Sequence, residues 1–214
     1  MKLGLDLLLL LQLLYSWTVC LSAEDASPTV APVNSSRVQQ FLAACSSGDL
    51  SAIEDEHRSG VDVNYRNSNR WTPLMFAVRG NQDKAVHLLI ELRADVNAQE
   101  NDGWTALMIA SVLGQAQTVQ RLVQADADLF LVNRDGKNAI NLASEQKQGD
   151  VKTFLVYAGI KNALERKNLT RVLDMVRMGA PVNTKISSGL SPLMLACNDQ
   201  AIDCLLYTSD AADE

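Results

Sequence analysis

The chain repeats itself every 33 residues, and nothing else in it constrains the fold as tightly. Thr72-Pro73-Leu74-Met75 is followed 33 positions later by Thr105-Ala106-Leu107-Met108, and after the same interval by Asn138-Ala139-Ile140-Asn141. Ala77, Ala110 and Ala143 keep the spacing, as do Ala94-Asp95-Val96-Asn97 and Ala127-Asp128-Leu129-Phe130. A fixed period of this length marks a stacked array, in which each unit buries its apolar face only against its neighbours. Composition agrees. Hydrophobic residues are 47% of the chain but aromatics only 5%, which favours slim helices rich in Leu, Val, Ala and Met over an aromatic β core.

Each part of the repeat has a physical role. Thr72 and Thr105 stand where a hydroxyl can accept a hydrogen bond from a backbone N–H two or three residues on, capping a helix. Pro73 sits just inside that start, where its missing N–H costs nothing. Ala77 and Ala110 keep the first helix slim. Val86, Leu89 and Ile90 recur as Val119, Leu122 and Val123, a stripe at helical spacing. Asp95 and Asn97 suit a turn.

Taken together, the threonine-proline-leucine opening, the Ala-rich and Leu-rich helices and the Ala-Asp-Val-Asn turn resemble the ankyrin repeat over about residues 37–203. The resemblance implies an all-α solenoid of helix-turn-helix units with short β-finger turns. Its units are an N-terminal cap repeat at 37–66, repeats at 67–99, 100–132 and 133–160, a shortened repeat at 161–185 and a truncated one at 186–203. Ala163 follows Ala143 by 20 positions, so about 13 residues of the period are missing there. Helix is expected to run almost directly into helix near Gly159, with a local kink. Met75, Met108, Asn141 and Met194 occupy the place of the family's histidine, a structural variation without catalytic meaning.

The two ends read differently. Met1-Lys2, the apolar run from Leu7 to Leu14 and on to Leu21, and Ser22-Ala23 have the pattern of a secretory signal peptide, 1–23. Cleavage is expected after Ala23, with Ser22 as the alternative and an uncleaved anchor as the competing assignment. A polar leader, 24–36, follows. Localisation is then the secretory-pathway lumen or the exterior, or the periplasm of a bacterium. At the other end, Cys204 to Asp213 back-translate to a run resembling the adapter of transposase-made sequencing libraries, so 204–214 is expected to be a non-native tail. Without its Asp210, Asp213 and Glu214, the formal charge of −6 becomes about −3. Cys20 leaves with the signal and Cys204 belongs to the tail. Cys45 and Cys197 are expected to be small buried residues, not bridge partners.

Net negative charge and the absence of any basic run exclude a nucleic-acid backbone as partner. No cofactor, metal or catalytic set can be defended: His57 and His87 are isolated, and Glu54-Asp55-Glu56 is a solvated helix face. The resemblance instead implies a protein partner, bound along the finger tips and first-helix faces. The tips are Ser68, Asn69 and Trp71, then Asn101, Asp102 and Trp104, then Arg134, Asp135 and Lys137. The helix positions are Arg79 and Gly80, Val112 and Leu113, and Glu145 and Gln146. Trp71 and Trp104 are candidate hot spots, the alternative being that they pack on the next finger. Asn34 and Asn168 open N-glycosylation sequons, with Asn34 in the leader preferred. A monomeric interaction scaffold without a membrane span after signal cleavage is expected. The competing readings are the N-terminal part of a longer enzyme or membrane protein, and a cytosolic protein starting near Glu24.

Overall fold

The computed structural model describes residues 35–166 and 168–178. The expected signal peptide, the leader up to Asn34, the shortened repeat beyond 178, the truncated repeat, the tail, and Cys20, Cys197 and Cys204 lie outside the described residues. Among those described there are nine α-helices and no strand. They are α1 (Ser35–Ser47), α2 (Leu50–Arg58), α3 (Pro73–Arg79), α4 (Asp83–Glu91), α5 (Ala106–Val112), α6 (Ala116–Gln124), α7 (Ala139–Glu145), α8 (Gly149–Glu165) and α9 (Leu169–Arg177). The described residues divide into two compact units, the boundary falling between Ile109 and Ala110 inside α5.

In the first unit α1 rests on α2 and α3, α3 on α4, and α2 on α4. Val38, Phe41 and Cys45 recur at helical spacing and turn one face of α1 inward. Phe41, Cys45, Ile53, Leu74, Met75, Ala77, Val86 and Leu89 are fully buried. Burying each of the larger ones contributes about 1.5–3 kcal/mol. Every residue of α3 from Pro73 to Val78 is buried, so this short helix has no polar side until Arg79. At its C-cap, Gly80 lies against the end of α1: a Cβ there would overlap the Ser46 carbonyl oxygen and stand 3.0 Å from its carbon.

The helix starts follow the sequence. Thr72 Oγ1 accepts from the Met75 N–H at 3.4 Å, and Thr105 Oγ1 from the Met108 N–H at 3.2 Å. Asn138 fills the same place with a reciprocal box: its Oδ1 accepts from the Asn141 N–H at 2.9 Å, and Asn141 Oδ1 from the Asn138 N–H at 3.2 Å. Met75 and Met108 are buried where the family has histidine. The aspartates of the turns also repeat. Asp62, Asp95 and Asp128 each accept, through Oδ1, from the N–H two residues on, at 2.8, 3.0 and 2.9 Å.

In the second unit α6 and α7 pack on α8, and α8 on α9. The expected run of helix into helix near Gly159 takes the form of a single helix. α8 is one 17-residue helix that passes through Gly159 and through the 160/161 boundary of the sequence division. With the finger deleted, nothing interrupts its backbone hydrogen bonds, so two repeats share one helix. Gly159 serves close packing: a Cβ there would stand 2.5 Å from Met175 Sδ of α9. Arg171 of α9 reaches back, its guanidinium 4.2 Å from the Phe130 ring centre and 4.0 Å from Asp128 Oδ1.

Candidate protein-binding surface

The fingers are built from one local device used three times. Asn67 Oδ1 accepts from the N–H groups of Asn69 (3.1 Å) and Trp71 (2.8 Å). Glu100 Oε1 does the same for Asp102 (2.7 Å) and Trp104 (3.0 Å), and Asn133 Oδ1 for Asp135 (3.1 Å) and Lys137 (2.9 Å). The same residues close each turn through their backbone, as in Asn67 N–H to Trp71 carbonyl at 3.2 Å. The fourth position of each turn is left-handed: Gly103 and Gly136 have φ of 80° and 72°, while Arg70 adopts 62° at a steric cost glycine avoids. These acceptor anchors were missed in the sequence. Their signal was present as an oxygen-bearing side chain at 33-residue spacing, disguised because Asn alternates with Glu.

Two fingers of the first unit are tied together. Asn101 donates its N–H to the Asn69 carbonyl at 3.2 Å and its Nδ2 to the Ser68 carbonyl at 3.3 Å. Behind them, Asn64 Oδ1 accepts from the Asp95 N–H at 2.7 Å, and Arg66 pairs with Asp95 at 3.7 Å. Ser68, Asn101 and Asp102 are exposed, Asn69 and Trp104 half-buried.

Trp71 is not a surface residue. It is 6% exposed, its ring 5.5 Å from that of Phe76 and tilted by 59°, with the Arg79 guanidinium 5.6 Å from its centre. The packing alternative holds for Trp71, because α3 supplies both Phe76 and Arg79 against the indole. Arg79 itself is half-buried above it.

In the second unit Arg134 and Asp135 are exposed at their finger tip, and Lys137 Nζ bonds Glu145 Oε2 at 2.8 Å. That hydrogen bond raises the pKa of Lys137 above the usual lysine range. Val112 is half-buried and Leu113 exposed; Val132, not singled out in the sequence, is 49% exposed beside Arg134. The two sets of residues belong to separate compact units.

The remaining titratable candidates are structural. Burial pushes the Cys45 thiol up to about 12, so it is neutral and inert. His57 Nδ1 lies 3.4 Å from the Val61 carbonyl, and His87 Nε2 3.5 Å from Glu91. Among the described residues, no three His, Cys, Asp or Glu side chains gather as a metal group, and no helix is long and apolar enough to cross a membrane.

Paired helices joined by side-chain-anchored fingers define a helical-repeat module. Residues 41–133 match the family model of ankyrin repeats (3 copies), so this segment is a run of ankyrin repeats. No curated protein matches it. Ankyrin repeats are generally protein–protein interaction modules, and their domains are typically non-catalytic.

Proposed function

We propose that the chain is a non-catalytic, monomeric scaffold that binds a protein partner within the secretory pathway or outside the cell. The contact residues are Ser68, Asn69, Arg79, Asn101, Asp102 and Trp104 in the first unit. Val112, Leu113, Arg134, Asp135 and Lys137 form a separate set in the second. The observation carrying this reading is the Asn101 link: it fixes two exposed finger tips before any partner arrives, so less order has to be imposed on binding. Support for the location is the charged start, apolar run and small-residue exit of residues 1–23.

The test has two parts. N-terminal sequencing of the protein recovered from culture medium should begin at Glu24 or Ala23, and a cytosolic product beginning at Met1 refutes the location. Partners captured by cross-linking through a photoreactive residue at position 102 should lose affinity on Asn101→Ala and Trp104→Ala while helical content is unchanged. Equal affinity in both variants removes the finger surface from the proposal. The alternative, a catalytic or membrane domain beyond residue 203, is favoured by Cys204 to Asp213, which can be back-translated to an adapter-like run, and is tested by resequencing the gene.

A further inference from the structure

The binding surface makes no use of the sequon Asn168-Leu169-Thr170, which opens α9. We infer that Asn168 is an N-glycosylation site, carrying an oligosaccharide on Nδ2 once the chain enters a eukaryotic endoplasmic reticulum; this rests on the secretory reading above. Asn168 is the exposed N-cap of α9, and its Oδ1 accepts from the Arg171 N–H at 3.1 Å. The cap therefore uses the oxygen, and the modification uses the nitrogen. In the transfer a bond forms between Nδ2 and the anomeric carbon of a lipid-linked diphospho-oligosaccharide, supplied with its transferase by the membrane. The bond from that carbon to the diphosphate breaks, the lipid diphosphate departs, and Nδ2 gives up one of its two protons. Oδ1 keeps its lone pairs, so α9 stays capped beneath the glycan. Thr170, the hydroxyl the sequon requires, is also exposed. Other asparagines that cap or anchor here lack this freedom: Asn133 and Asn138 are only 5% and 6% exposed. Asn34 lies outside the described residues, while Asn168 offers a folded site that accepts a glycan without losing the bond its Oδ1 makes.

The experiment expresses the full chain in insect cells and digests the secreted protein with peptide-N-glycosidase in heavy-oxygen water. The Asn168 peptide should carry the heavy-oxygen Asp tag. Thr170→Ala and Asn168→Asp should abolish it, while Asn168→Asp, itself a good cap, leaves the thermal transition unchanged. A parallel chain carries a heterologous cleavable signal in place of residues 1–23 and is translated with microsomes, scoring only protease-protected molecules. Tagging in this arm alone sinks the native secretory reading and leaves Asn168 as a competent acceptor. Bare Asn168 in protected molecules overturns the site.

Discussion

Replacing Gly80 by alanine sets two well-defined effects against each other. Gly80 ends α3 at φ −72° and ψ −1°, a conformation alanine adopts freely. On backbone grounds alone, Gly80→Ala would stabilise the fold by about 0.4–1 kcal/mol, by narrowing the unfolded ensemble. The new methyl, however, would overlap the Ser46 carbonyl oxygen, with the carbonyl carbon at 3.0 Å and Gln82 Cγ at 3.2 Å. The Gln82 side chain can move. The Ser46 backbone can move only if the end of α1 parts from α3, which loosens contacts around Phe41 and Leu74. Overpacking of this kind costs about 1–3 kcal/mol, so the net expectation is a loss of about 1–2 kcal/mol. Urea titration followed by helical circular dichroism measures it as a lower midpoint at unchanged slope. Gly149→Ala is the internal control. Gly149 opens α8 with nothing within 4 Å of its Cβ direction, and alanine there should stabilise by about 0.4–1 kcal/mol. If Gly80→Ala is instead as stable as Gly149→Ala, the claim that α1 and α3 meet backbone to backbone is wrong.

Trp71→Ala should cost about 3–5 kcal/mol, as a buried aromatic does, whereas Trp104→Ala, half-buried, should cost about 1–2 kcal/mol; matched thermal melts separate them. Arg70→Gly should raise stability by about 0.5–1 kcal/mol by removing left-handed strain, and a lower urea midpoint would contradict the finger geometry. Cys45 should resist maleimide labelling at pH 8 until the protein is unfolded. Because its folded pKa, about 12, lies above the 9.0 of a free thiol, the stability it contributes is intact below pH 9 and declines as pH rises toward 12; fast native labelling would refute its burial. Arg171→Ala should speed amide exchange in α9 and remove the salt dependence of that exchange, since an ion pair with both partners about one-third exposed is screened.

The repeat was legible because its period is carried by residues whose roles are local. A threonine cap, an alanine on a slim helix and an aspartate turn each act within a few residues of themselves, so spacing alone places them. Trp71 was not legible in the same way. An aromatic before Thr72 can face solvent or core, and what decides is Phe76 and Arg79 folding over it, which only the path of α3 determines. The finger anchors were hidden for another reason: Asn67, Glu100 and Asn133 share an oxygen acceptor but not a name. The deletion between Ala143 and Ala163 could be counted, but whether the two helices fuse into one depends on the energetics of the junction. At that junction Gly159 leaves room for the Met175 side chain of α9, whose Sδ would stand 2.5 Å from a Cβ there. One position of the Asp turns changes chemistry from repeat to repeat. Where two earlier repeats carry Asn64 and Asn97, the repeat at 100–132 has Phe130. Asn64 bonds the next turn at the Arg93 carbonyl and the Asp95 N–H. Phe130 instead presents a ring to Arg171, and the same guanidinium reaches Asp128, so an aromatic ring and a carboxylate of one turn hold a single side chain of α9.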